Sequence, residues 1–179
     1  MAGLGRQERA WIRGAQAGSV PDLEALFREH WPRAHRAAFL VVHDGAAAED
    51  IAQEAFLAAV RNLDRFDRKR PFGPWLHRIV VNRAIDWARA RALRREAAEV
   101  EAGDEEFDTG DLGNPFSQGV AAGLASLQPE QRAVIVLRYL LEYSPGEIAE
   151  ILDLPRGTVN SRLRRGLDRL ETILDREQA

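Results

Sequence analysis

Apolar residues in this chain recur at spacings of three and four, and no stretch shows the alternating β-branched pattern of a strand. A weak helix is expected over 8–17, ended by Gly18. After Pro21, Leu23, Leu26, Phe27 and Trp31 share one helical face. Pro32 either kinks that helix or starts the next segment, which runs to residue 42. A third helix over 46–63 turns Ile51, Ala55, Phe56, Ala59 and Val60 inward, and a fourth over 74–95 carries Leu76, Ile79, Val80, Ala84 and Trp87. Between them, residues 64–73 are dense in charge and hold Phe66, Pro71 and Phe72. Near the other end, Ser144-Pro145-Gly146-Glu147 has the form of a capping box: the hydroxyl accepts from a free N–H, Pro sits where none is needed, and Glu reaches back. A short helix with Ile148, Ala149, Ile151 and Leu152 follows, then a turn at Asp153-Leu154-Pro155-Arg156-Gly157. From Thr158 a second helix places Val159, Leu163, Leu167 and Leu170 within a stripe roughly 80° wide. Ser161, Arg162, Arg164, Arg165 and Arg169 project from the rest of it. Two short helices, a tight turn and a basic second helix are what insertion into a major groove requires. The pattern therefore predicts an all-α protein with a helix-turn-helix.

At 179 residues the chain is long enough for one large domain or two small ones. Nothing approaches the apolar run of about 18 residues that marks a membrane span, and residues 1–16 lack a signal-peptide core, so a cytoplasmic protein without membrane insertion is expected. There is no cysteine, hence no disulfide or thiolate metal site. The four histidines (His30, His35, His43, His77) lack metal-ligand spacing, and no nucleophile–base set or Gly-rich phosphate loop is present. No metal, cofactor or enzymatic activity is expected.

The net charge of −3 argues against nucleic acid as a partner, but its distribution reverses that. Residues 61–95 hold eleven Arg or Lys against three acids, whereas 96–119 hold eight acids and no base. This second stretch also carries Gly103, Gly110, Gly113, Pro115 and Gly119 without apolar periodicity, and reads as a linker. The expected organisation is 1–95, a flexible acidic linker at 96–119, and 120–179.

Two separated segments then resemble one family. Ala48-Glu49-Asp50-Ile51-Ala52-Gln53-Glu54-Ala55-Phe56-Leu57 and the run from Arg70-Pro71-Phe72-Gly73-Pro74-Trp75 to Asp86 resemble the second conserved domain of bacterial sigma factors. Leu137-Arg138-Tyr139, Glu147-Ile148-Ala149 and Gly157-Thr158-Val159 with Ser161-Arg162-Leu163 resemble their fourth domain. Their order, with nothing but the acidic linker between, resembles the extracytoplasmic-function (ECF) group of the sigma-70 family. The resemblance implies two helical domains, a domain-two bundle and a domain-four helix-turn-helix, that join core RNA polymerase and direct promoter-specific initiation.

Carried over, it places Asp50, Gln53, Glu54 and Leu57 against the polymerase β′ clamp helices. Their i, i+3, i+4, i+7 spacing independently puts them on one face, while Phe56 points to the core. Domain four would meet the β flap and read the −35 duplex through Arg156, Thr158, Asn160, Ser161, Arg162, Arg164 and Arg165. Asn160 stands where many relatives have a basic residue. The loop 64–73 and the helix after it would hold the melted −10 strand, with a base flipped into a loop pocket. Arg65, Arg68, Lys69, Arg70, Arg78 and Arg83 can track phosphates, Phe66 and Phe72 offer stacking faces, and Asn82 can pair with a base edge. Phe72 could equally pack the helix start, the role expected of Trp75. The loop lacks the family's usual Arg-Gly before the aromatic, so the base it reads is not carried over.

A 24-residue coil spans roughly 25–30 Å relaxed and about 80 Å extended, whereas promoter elements two helical turns apart are roughly 70 Å from one another. The linker is therefore expected to stretch along the polymerase, its acids in a basic channel. In the free chain, either an anti-sigma protein or packing of the two domains on each other would hide the DNA surfaces. The rival readings are a conventional helix-turn-helix regulator that binds duplex DNA without polymerase, and a helical interaction module with no DNA role.

Overall fold

The computed structural model describes residues 2–97 and 115–177, and all regular structure among them is helical. In order these are α1 (Ala2–Gln16), α2 (Val20–Val42), α3 (Gly45–Arg61), a short 3-10 turn (Leu63–Arg65), α4 (Phe72–Ala97), α5 (Pro115–Ala125), α6 (Pro129–Ile135), a wide π-type turn (Val136–Leu140), α7 (Pro145–Leu152) and α8 (Arg156–Glu177). No helix among the described residues is long and apolar enough to cross a membrane.

Local chemistry sets most boundaries. Gly18 takes φ 88 and ends α1, and Ser19 caps α2, its hydroxyl accepting from the Asp22 N–H. Pro32 does not break α2, which is a single helix. His43 turns left-handed at its end, and Asp44 then caps α3 by accepting from the Ala47 N–H at 2.9 Å. The same carboxylate takes Arg91 of α4 at 2.7 Å, and the Ala47 N–H together with Arg91 holds it below the usual carboxylate range. In the second half, Ser144 Oγ accepts from the Glu147 N–H at 3.3 Å while Glu147 accepts from the Ser144 N–H at 2.8 Å, so the expected capping box is present.

Several boundaries differ from the periodicity: α3 ends two residues before residue 63, and α4 runs two residues past 74–95 at each end, so its last turn enters the stretch read as linker. α1 starts six residues earlier than residue 8, α8 starts at Arg156, and α5 starts at Pro115, inside the stretch read as linker. α5 was obscured by Gly119 and Gly123, which lower helical propensity. At Gly123 the reason is steric: a Cβ there would lie 2.5 Å from Leu170 Cδ1 of α8. The rest of the expected linker, 98–114, lies outside the described residues, as does its stretching along the polymerase.

α1–α4 form one bundle and α5–α8 another, and the two share a seam. α2 packs on α5, α6 and the π-type turn; α4 packs on α6 and α7. One continuous apolar core results, from Ile12 and Leu76 to Ile148 and Val159, all fully buried. The π-type turn, closed by Leu141 N–H donating to Val136 O, and Glu142 at φ 62 bring Tyr143 back onto α4. There its hydroxyl and His77 Nδ1 share a 2.7 Å hydrogen bond across the seam.

Burial, with His30 and Arg33 nearby, lowers His77 to a pKa of about 3; burial and then Arg132 do the same to half-buried His43. Both rings are neutral in the folded chain, whereas the unfolded chain protonates them below about 6.5. Stability is therefore full above pH 6.5 and is lost as pH falls towards 3, by about 1.4 kcal/mol per pH unit for each ring. Thermal melts between pH 7 and 5 should show this slope, and His77→Gln should remove about half of it; a flat profile would contradict the assignment. Ser144→Ala should cost about 1 kcal/mol in denaturant titrations, from loss of the cap alone.

Candidate polymerase and promoter surfaces

The α3 face forms as its spacing requires. Ala48, Ile51, Ala52 and Ala55 point into the bundle, leaving Asp50, Gln53, Glu54 and Leu57 in solvent, with Leu57 53% exposed. Gln53 donates to Glu49 Oε1 at 3.1 Å, and Glu54 is ion-paired with Arg83 of α4. Phe56 is buried, as expected. Beside this face lies an apolar groove of about 560 Å³ between α2 and α3, lined by Val20, Leu23, Phe27, Trp31, Phe56 and Val60. Phe27 stacks on Trp31 with centroids 4.8 Å apart. The periodicity had assigned Phe27 and Val60 to the interior, but Phe27 is 43% and Val60 40% exposed. A wide apolar face on a helix cannot all be covered by one neighbouring helix, and period alone does not reveal which edge stays bare.

The loop 64–73 is where expectation and structure part. Phe66 and Phe72 are not free stacking faces: they are 9% and 3% exposed and belong to the core. They form an aromatic cluster with Trp75, with Phe66–Trp75, Phe72–Trp75 and Phe66–Phe72 centroids at 4.6, 5.6 and 5.8 Å. His30 of α2 lies 5.1 Å from the Phe72 ring. Burying two phenyl rings stabilises the fold by more than stacking on a transient base would return, which is why they turn inward. Residues 64–73 are further pinned by Gln16 of α1, whose amide donates to Leu63 O at 2.8 Å and Phe66 O at 3.1 Å. Sequence gave no sign of this contact, because a polar residue at a helix end has many other uses.

Around this floor the basic residues stay outside. Arg65, Arg68, Lys69, Arg70 and Arg78 are exposed, while Asn82 and Arg83 are half-buried. Asp67 accepts from the Lys69 N–H at 2.9 Å and shapes the turn. Arg65, Arg70, Trp75 and Ile79, with Asn62, Phe66 and Asp67, line an open cleft of about 460 Å³. Trp75, half-buried and assigned to packing, is thus also the large aromatic at the cleft wall. Arg83 differs from the others, since Glu54 already holds it.

In the helix-turn-helix, Ile148, Ile151, Val159 and Leu163 are buried, with Leu167 and Leu170 packed at the edge of the core. Asp153 at φ 54 ends α7, and Pro155 O accepts from the Thr158 N–H at 2.9 Å to start α8. Arg156, Asn160, Arg164 and Arg165 are exposed; Thr158, Ser161 and Arg162 are half-buried. Arg165 is steadied by donating to Ser161 Oγ at 2.9 Å. The outward face of α8 therefore presents a basic, hydrogen-bonding surface of the kind that reads base edges and phosphates. Among the described residues no group of three His, Cys, Asp or Glu side chains could hold a metal ion.

Known proteins repeat this division. Residues 26–94 match the family model for Sigma-70 region 2, and residues 118–170 match that for Sigma-70, region 4. The ECF RNA polymerase sigma factor SigW of Bacillus subtilis is 38% identical over 146 residues, covering 71% of this chain and 75% of that one. SigM of Mycobacterium tuberculosis is 34% identical over 176 residues, covering 95% and 87%. Among solved structures, CnrH in complex with the cytosolic domain of CnrY matches with a TM-score of 0.71 at 30% identity, over 94% of this chain and 97% of that one. Sigma factor RpoE of Bartonella quintana, in complex with the anti-sigma factor NepR, shares the fold with a TM-score of 0.73 at 24% identity, over 87% and 98%. With both regions matched in order and relatives aligned over most of its length, the chain belongs to the ECF group of sigma-70 factors, which bind core RNA polymerase and direct it to specific promoters.

Proposed function

We propose that the exposed α3 face, Asp50, Gln53, Glu54 and Leu57, docks on the β′ clamp helices of core polymerase, with the neighbouring groove around Trp31 and Val60 as its apolar half. The observation that carries this is Leu57, an exposed leucine set among three hydrogen-bonding side chains on a rigid helix. Interface anchors combine in this way. A regulator working without polymerase would have no use for such a face.

In the same reading α8 enters the −35 major groove, with Arg156, Arg164 and Arg165 on phosphates and Asn160, Ser161 and Arg162 towards base edges. Thr158 meets the backbone at the helix start, and domain four meets the β flap. The loop 64–73 and α4 hold the −10 strand. Arg65, Arg68, Lys69, Arg70 and Arg78 track its phosphates, Asn82 meets a base edge, and an unstacked base enters the cleft beside Trp75. Arg83 joins them only when Glu54 is drawn away by the polymerase. The acidic linker lies in the polymerase channel between the two DNA-reading units. The protein acts in the cytoplasm and catalyses nothing itself. An anti-sigma protein is its second partner, as for the RpoE relative in its complex with NepR, and the apolar groove suits such a clamp.

Leu57→Arg should weaken capture of core polymerase by at least about tenfold while changing the thermal melt little, because more than half of the residue is already exposed. Full capture by this variant would exclude the α3 face, and failure of the unaltered chain to bind core would exclude the whole proposal. For the holoenzyme on promoter DNA, Arg164→Ala should weaken binding to all −35 sequences alike and reduce the log–log salt slope by about 0.9. Asn160→Ala should instead relax preference at one base pair, by about 1–3 kcal/mol in a competition assay. Equal losses on all sequences would place Asn160 outside the groove.

A further inference from the structure

Glu130 opens α6 at the seam between the two bundles. Its Oε1 alone accepts from both Nε (2.6 Å) and Nη2 (2.5 Å) of Arg89 on α4, a charge-assisted contact that an oxygen of a phosphate could equally supply. Partial burial works against its ionisation, yet its own backbone N–H, Arg89 and then Arg162 of α8 together hold it below the usual carboxylate range. One carboxylate thus faces a cation from each of the two helices assigned to DNA.

Arg89 was not among the promoter-contacting residues expected from the sequence, but its position on α4 is telling. At 100° per residue, Arg78, Asn82 and Arg89 fall within a stripe roughly 40° wide. The first two face the −10 element, and Arg89 extends the same line by two turns. Arg89 also lies 3.8 Å from exposed Asp86, one turn earlier. On α8, Thr158, Arg162 and Arg165 share a face in the same way, within roughly 60°.

We propose that Arg89 is a further promoter-backbone contact, and that Glu130 occupies it in the free chain in place of a phosphate. This rests on the reading of α4 as a promoter-facing helix. With both bundles on one seam, the two DNA surfaces cannot straddle elements about 70 Å apart, so binding both requires the seam to open. Opening separates Glu130 from Arg89 and leaves the guanidinium to the DNA. Half-exposed ion pairs are weak and salt-sensitive, as a latch that must release has to be. The His77–Tyr143 bond and the 3.9 Å Arg33–Glu142 pair close the same seam but take no cation from the −10 stripe.

The chain lacks cysteine, so dyes on cysteines placed at exposed Arg9 and Glu171 would report the distance between the bundles by energy transfer. Glu130→Gln and Arg89→Ala should both lengthen it in the free chain, and the charge swap Arg89→Glu with Glu130→Arg should restore it. In reconstituted holoenzyme, Arg89→Ala should weaken promoter binding by about threefold to tenfold and reduce the salt slope by about 0.9. The charge swap should be weaker still, whereas Glu130→Gln should lose nothing. An unchanged slope for Arg89→Ala, with the unaltered holoenzyme active, would overturn the DNA contact. An unchanged distance for Glu130→Gln would overturn the latch. If the unaltered chain fails to support initiation at all, the sigma-factor reading of α4 falls first and takes this proposal with it.

Discussion

The structure depends on α2 and α4 being apolar on more than one side. Each closes the first bundle against α3, and each then offers a second strip to α5–α7. His77 and Ala84 on α4, and Ala34, Ala37, Ala38 and Val41 on α2, are buried. Their small or compact side chains let helices approach closely along much of their length. Neither four-helix bundle is large, and small cores are marginal on their own. A common core relieves both at once.

That arrangement sets two demands against each other. Promoter engagement calls for two DNA-reading units held well apart, while stability of the isolated chain favours one buried seam. The polar bonds on the seam are consistent with a compromise: one buried hydrogen bond, a half-exposed ion pair and a distant exposed one. Such contacts are individually modest, so the apolar strips carry most of the association and the Arg89–Glu130 pair adds the small margin that holds the seam closed.

Much of this was legible in the sequence because it rests on local rules. Helical periodicity placed α2, α3, α4 and the helix-turn-helix, and the Ser144–Glu147 box marked the start of α7. The i, i+3, i+4, i+7 spacing of Asp50 to Leu57 gave an outward face. What was not legible depends on distant neighbours. Phe66 and Phe72 looked available because an aromatic in a charged loop has no periodicity to declare it buried; Trp75 and His30 decide that. Phe27 and Val60 looked internal because a helix does not announce which edge of its apolar stripe finds no partner. α5 was hidden by its glycines, one of which, Gly123, faces a side chain on α8, 47 residues away at Leu170. Glu130 and Arg89, 41 residues apart, had no sequence signal of their meeting.

The buried aromatic floor beneath residues 64–73, with Gln16 bonded to its backbone, sets the thermodynamic character of the strand capture proposed above. A loop that folded around its ligand would order backbone and bury its own rings on binding, with a large negative heat-capacity change. Here that ordering and burial are complete before any nucleic acid arrives. On the proposed −10 reading the chain would meet the strand as a mould already set, and the heat capacity of complex formation would report the unstacking of DNA more than the folding of protein.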